Sequence, residues 1–124
     1  MSAPSILYVE DNEANRMIVR DLLKRTKYQL AEAHDGEEGV AKALELRPGL
    51  ILMDIQLPKI SGLEAIRRLR AEAATAATPI IAITSFALSG DDQKAKAAGA
   101  TAYLAKPYSP RDLLALIRKT LPEA

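Results

Sequence analysis

Asp54 closes the apolar run "LILM" (50–53), and a carboxylate at the rim of a dry segment is costly unless a neighbour compensates it. Three further apolar runs end in a comparable way. "SILYV" (5–9) leads into Glu10-Asp11, "IIAI" (80–83) into Thr84, and "AYLA" (102–105) into Lys106-Pro107. Gathered in one place, these residues would make three acids, a hydroxyl and an ammonium. Three carboxylates close together cannot all stay ionised cheaply, because like charges raise one another's pKa and the repulsion grows as water is excluded. Lys106 supplies one positive charge. An all-oxygen cluster of this size suits Mg²⁺, which takes one or two carboxylates, keeps several waters and leaves room for phosphate oxygens. Asp54 beside a metal, an ammonium and a hydroxyl is arranged like an aspartyl nucleophile for phosphoryl transfer, with positive groups on the equatorial oxygens and Thr84 donating to one of them. Taken singly, each residue has a plainer role: Glu10-Asp11 as a helix opening, Thr84 as a strand end, Lys106-Pro107 as a turn. The chemistry depends on elements that bring four segments together.

Those elements are legible as alternating patterns. The four apolar runs are short and bounded by polar or turn residues, as buried strands are, while "YQLAEA" (28–33), interrupted by Gln29 and Glu32, reads as an edge strand. Between them lie helices announced by "DGEE" (35–38), "SGLE" (61–64), "SGDD" (89–92) and "SPRD" (109–112), each offering an oxygen to unpaired amides and negative charge to the positive end of the helix dipole. The first helix, roughly Glu13 to Thr26, is expected to bury a face of Ala14, Ile18, Leu22 and Arg25 with Val19 and Leu23 alongside. Arg47-Pro48-Gly49, Pro79, Gly99 and Pro122 are the expected stops of the four helices that follow. Five strands alternating with five helices predict an α/β, doubly wound, five-stranded parallel sheet. With the mixed second strand outermost the order is 2-1-3-4-5, and ligands sit beyond the carboxyl ends where the winding reverses, between strands one and three. Asp11 and Asp54 flank that point.

The remaining bounds are those of an ordinary globule. A chain of 124 residues, 48% hydrophobic and 27% charged, is expected to form one domain spanning 1–124 with no output domain, since nothing but "TLPEA" follows the fifth helix. A formal net charge of +1 argues against a dedicated nucleic-acid binder, and the absence of cysteine removes disulfides and thiol chemistry. With no apolar run approaching a membrane span and no signal-peptide pattern, a cytoplasmic location is expected.

"YVEDN", "LILMDIQLPKISGLE", "IIAITSFA" and "AYLAKPYS" resemble, in order, the motif blocks of response-regulator receiver domains of two-component signalling, the flavodoxin-like, CheY-like fold. Thirty residues separate Asp54 from Thr84 and twenty-two separate Thr84 from Lys106, spacings that fit the same family. The likeness covers essentially the whole chain and is strongest to stand-alone regulators of the cell-cycle type. It implies that Asp54 accepts phosphate from a phosphohistidine on a histidine kinase or histidine phosphotransfer protein. It further implies that Glu10, Asp11 and Asp54 hold Mg²⁺ together with the backbone carbonyl of Gln56, that Lys106 contacts the phosphoryl group, and that Thr84 is the switch hydroxyl. By the same likeness the Lys106-Pro107 bond is cis, Tyr103 is the aromatic that turns inward when the hydroxyl moves, and Gln56 and Phe86 tune phosphate lifetime. The molecule is then a signalling switch that catalyses only its own phosphorylation and slow dephosphorylation. Its output passes through the face formed by the fourth helix, fifth strand and fifth helix, without nucleic acid or membrane. The fourth helix, alanine-rich where its neighbours carry Leu and Ile, is expected to bury little and be easily biased. Two departures stand out: Glu10 where many members have aspartate, and Ser61 where an acid is frequent.

Other features read as solvated or structural. His34 is expected on the surface beside a helix cap; Arg67, Arg68 and Arg70 on the solvated face of the third helix; Leu113, Leu114, Ile117 and Leu121 in the core. Two rival functions share parts of the pattern. A haloacid-dehalogenase-like phosphatase needs a second acid two residues beyond the nucleophile, where this chain has Gln56. A docking module that is never phosphorylated would be expected to lose the acceptor, the acids or the lysine, all of which are present.

Overall fold

In the computed structural model, which describes residues 4–84 and 90–123, a central parallel sheet runs in the order β2-β1-β3-β4-β5. The strands are β1 (Ser5–Val9), β2 (Gln29–Ala33), β3 (Leu50–Asp54), β4 (Ile80–Thr84) and β5 (Ala102–Ala105). The helices are α1 (Glu13–Leu23), α2 (Gly36–Leu46), α3 (Gly62–Ala71), α4 (Asp91–Ala98) and α5 (Pro110–Thr120). The mixed second strand is indeed an outer one, pairing only with β1.

Every residue of β3 and β4 is buried, as central strands of a sheet covered on both faces must be. Alternation along the strands divides the core in two. Leu7, Val9, Ile51, Met53, Ile80 and Ala82 face α2, α3 and α4, while Ile6, Tyr8, Leu50, Leu52, Ile81 and Ile83 face α1 and α5. Backbone hydrogen bonds then carry the ladders just past the strand ends. Glu10 N donates to Ala33 O at 3.0 Å, Ile55 N to Ile83 O at 2.9 Å and Lys106 N to Thr84 O at 2.6 Å. These bonds level Glu10, Asp54, Thr84 and Lys106 along one carboxyl edge.

The caps form largely as their letters suggest. Asp35, Ser61 and Ser109 accept from the amides of Glu38, Glu64 and Asp112. Glu38 also reaches back to the His34 amide, whereas Glu64 turns outward to Arg67 and Arg68, so only half of that capping box is made. The expected cap at Ser89 lies outside the described residues; α4 opens on Gly90, in the left-handed region at φ 71°, with no side-chain cap. Among its described side chains α4 buries Ala95 and Ala98, consistent with the expectation that it contributes little core.

Three expectations need correction. The buried face of α1 is Arg16, Val19 and Leu23, while Ala14, Ile18 and Arg25 are exposed. The true stripe is rotated by roughly a third of a turn about the helix axis, and a guanidinium, not an aliphatic, fills its first place. α3 stops at Ala71, well before Pro79, where Thr75 donates its hydroxyl to Leu69 O and the Glu72 amide donates to the same carbonyl. Arg70 is not on the solvated face. Its guanidinium donates to the carbonyls of Thr75, Thr78 and Gly99 at 3.0, 2.7 and 2.8 Å, clasping the loop after α3 to the end of α4. Arg67 and Arg68 are exposed, as is His34, which pairs with Glu38. Leu113 and Ile117 are buried, and Leu114 and Leu121 pack partly against the same core.

Candidate functional site

The acids converge. Glu10, Asp11 and Asp54 each offer a carboxylate oxygen within 4.8 Å of the others. Lys106 Nζ stands between two of them, 2.9 Å from Glu10 Oε1 and 3.2 Å from Asp54 Oδ2. Strand alternation explains the convergence. Glu10, Asp54 and Lys106 lie an even number of residues beyond Tyr8, Leu52 and Leu104, so all three extend the α1/α5 side of the sheet. The Lys106-Pro107 peptide bond is cis.

Asp54 is 3% exposed, and its Oδ1 accepts the Gln56 amide at 2.9 Å. Burial, followed by the neighbouring Glu10, pushes its carboxyl up from 3.8 to about 7. Burial opposes the charged form of Glu10 too, but hydrogen bonds with Asp54 and Lys106 outweigh it and hold this carboxyl below its ordinary value. Lys106 loses some stabilisation to burial and regains more from Glu10 and Asp54, so its ammonium is held more firmly than usual. One ammonium thus leaves the cluster short of positive charge, and Asp54 shows the deficit. Oxygen donors only, close spacing and unpaid negative charge fit a small hard divalent cation such as Mg²⁺.

Thr84 is fully buried at the end of β4, and Ala105 of β5 stands opposite it. It continues the α2/α3/α4 side of the sheet, as does Tyr103, whose register partner is Ala82. Tyr103 is half-buried with its hydroxyl inside, packed against the core that holds Ala95 and Ala98. Phe86 lies outside the described residues.

Sequence reasoning passed over four residues that shape this pocket. Tyr8, read only as core, donates its hydroxyl to Glu10 Oε1 at 3.1 Å. Arg16, 7% exposed, donates to the backbone oxygen of Glu10 at 2.7 Å and pairs with Glu13 and Glu32. A Cβ on Gly62 would lie 2.1 Å from the backbone oxygen of Asp54, so only glycine lets α3 begin this close to the end of β3. Tyr108 closes the α1/α5 side, lining a cleft of about 510 Å³ with Lys106, Pro107, Asn15, Ile18 and Pro110. The two-residue period from Tyr8 to Glu10 was the signal available in the sequence; the roles of Arg16 and Gly62 depend on contacts across elements.

Residues 6–118 match the family model of the response regulator receiver domain. The chain belongs to the response-regulator receiver family. It is 40% identical over 120 residues to the polar-differentiation response regulator DivK of Brucella anthropi, covering 97% of this chain and 98% of that protein. DivK of Brucella ovis is 39% identical over the same coverage. Among solved structures, chemotaxis response regulator CheY4 of Vibrio cholerae superposes with a TM-score of 0.89 at 32% identity, covering 95% of this chain and 98% of that one. The receiver domain of sensor histidine kinase PA1611 from Pseudomonas aeruginosa PAO1, with a magnesium ion coordinated in its active site cleft, gives 0.87 at 36% identity over 94% and 95%. The receiver fold is therefore CheY-like in order and winding. Among the described residues, no helix is long and apolar enough to cross a membrane.

Proposed function

We propose that this receiver domain is a phosphoacceptor switch in which Asp54 takes a phosphoryl group from a phosphohistidine of a histidine kinase or histidine phosphotransfer protein. The observation that carries the reading is Lys106 Nζ within hydrogen-bonding reach of both Glu10 and Asp54, from a different strand than either. An Asp54 carboxylate oxygen attacks phosphorus, the new O–P bond forms as the P–N bond breaks, and the imidazole leaves with the electron pair. Attack needs the ionised carboxylate, which burial disfavours in the metal-free pocket.

Glu10, Asp11 and Asp54, with the backbone carbonyl of Gln56, are the residues that would hold Mg²⁺. When bound, the ion supplies charge that favours ionised Asp54 and neutralises phosphoryl oxygens. Lys106 holds one phosphoryl oxygen and Thr84 donates its hydroxyl to another. By position in the chain, two residues beyond Asp54 and Thr84, Gln56 and Phe86 are the residues proposed to set how fast water removes the phosphoryl group. No second acid follows Asp54 at the position where a phosphomonoesterase would need one, so catalysis is confined to the chain's own aspartate.

The phosphoryl group adds about −2 charge and three acceptor oxygens. Drawing Thr84 toward them re-sets Tyr103, α4 and α5, the surface offered to a downstream protein. The test is incubation with acetyl phosphate and Mg²⁺, read by intact mass. One phosphoryl group per chain, lost in Asp54→Asn, is the expected result. Full labelling of that variant, or none of the wild type, would refute the assignment.

A further inference from the structure

We propose that Tyr8 is a positioning residue matched to Glu10, holding the longer acid in place for the metal pocket; this rests on the reading given under Proposed function. Glutamate adds a methylene and a rotatable bond to the arm, and a ligand that must first be ordered binds a cation less well. Tyr8 removes that freedom. It is fully buried two residues before Glu10 on the same face of β1, a span of about 6.6 Å along a parallel strand that an extended tyrosine covers. Its hydroxyl donates to Oε1, the oxygen that also takes Lys106. Oε2 takes neither of these groups and accepts the Asn12 amide at 3.3 Å, so it is the oxygen of Glu10 turned toward the other end of the pocket.

Lys106 alone would be an unreliable tie. It is shared with Asp54, so any change at Asp54 pulls on Glu10 through it, whereas Tyr8 touches Glu10 without touching Asp54. The match is specific to glutamate. At 3.1 Å the hydrogen bond already lies at the long edge for two oxygens, and an aspartate, drawn back by one methylene, would fall out of reach.

A double-mutant cycle tests this: Tyr8→Phe, Glu10→Asp and the pair, with Mg²⁺ affinity read from amide NMR shifts and stability from urea unfolding. Tyr8→Phe is expected to weaken Mg²⁺ about tenfold, in the manner of lost outer-shell partners. In the Glu10→Asp background the same change should cost less than about twofold, because the contact is already gone. Equal weakening in both backgrounds, or lower stability with unchanged Mg²⁺ affinity, would overturn the matched pair and leave the phosphoacceptor reading standing. Wild type that binds no Mg²⁺ would overturn both.

Discussion

Asp54→Asn in the metal-free protein should stabilise the fold, and the gain should depend on pH. A carboxyl held at about 7 instead of 3.8 corresponds to about 4 kcal/mol against ionising it in place. Because the folded value is raised, the stability tied to the protonated group is fully present below about pH 4 and is lost as pH rises through about 7. Glu10 is shifted the other way by its bonds to Asp54 and Lys106, despite burial, and offsets part of the cost. Asparagine keeps the shape and an acceptor for the Gln56 amide but gives up the ion pair with Lys106. The net expectation near pH 8 is a gain of about 2 kcal/mol, shrinking toward zero near pH 4. In urea that is a midpoint shift of about 1 M. Millimolar Mg²⁺ should narrow the gap by stabilising wild type preferentially. A variant less stable than wild type near pH 8 without divalent cations, or a gain unchanged between pH 4 and 8, would refute the claim that Asp54 carries uncompensated charge.

Gly62→Ala must push its new methyl away from the Asp54 carbonyl, 2.1 Å off, and should cost about 3 kcal/mol in urea unfolding. Arg16→Met strips the Glu10 carbonyl and Glu32 of a buried guanidinium; a loss of about 2–3 kcal/mol, with the amides around Glu10 shifted in NMR spectra, is the expected outcome. α4, with two buried alanines and a glycine cap, should exchange its amides for deuterium faster than α1, α3 or α5. Beryllofluoride with Mg²⁺ should shift amides of α4, β5 and α5; unchanged spectra there would remove the proposed output route.

Strand order and the convergence of Asp54, Glu10, Asp11 and Lys106 were legible because each depends on local pattern: apolar runs of strand length, caps, and a polar residue at every carboxyl end. What stayed hidden depends on which way a residue turns. Arg16 takes a place on the α1 stripe where periodicity favours an aliphatic, so the pattern pointed to Ile18, which is 47% exposed. Arg70 looks like its neighbours Arg67 and Arg68, yet of the three it alone meets backbone carbonyls as far apart along the chain as Thr78 and Gly99. Tyr8 counts as hydrophobic in any apolar run, and its hydroxyl acquires meaning only beside Glu10.

The alternation of side chains through the sheet has a further consequence. Glu10, Asp54 and Lys106 project toward the α1/α5 layer, whereas Thr84 and Tyr103 continue the α4 layer. On the proposed reading, phosphate arrives at groups that belong to one side of the sheet, while the first residues to answer it, Thr84 and Tyr103, belong to the other. One strand layer would then separate delivery from the start of the response.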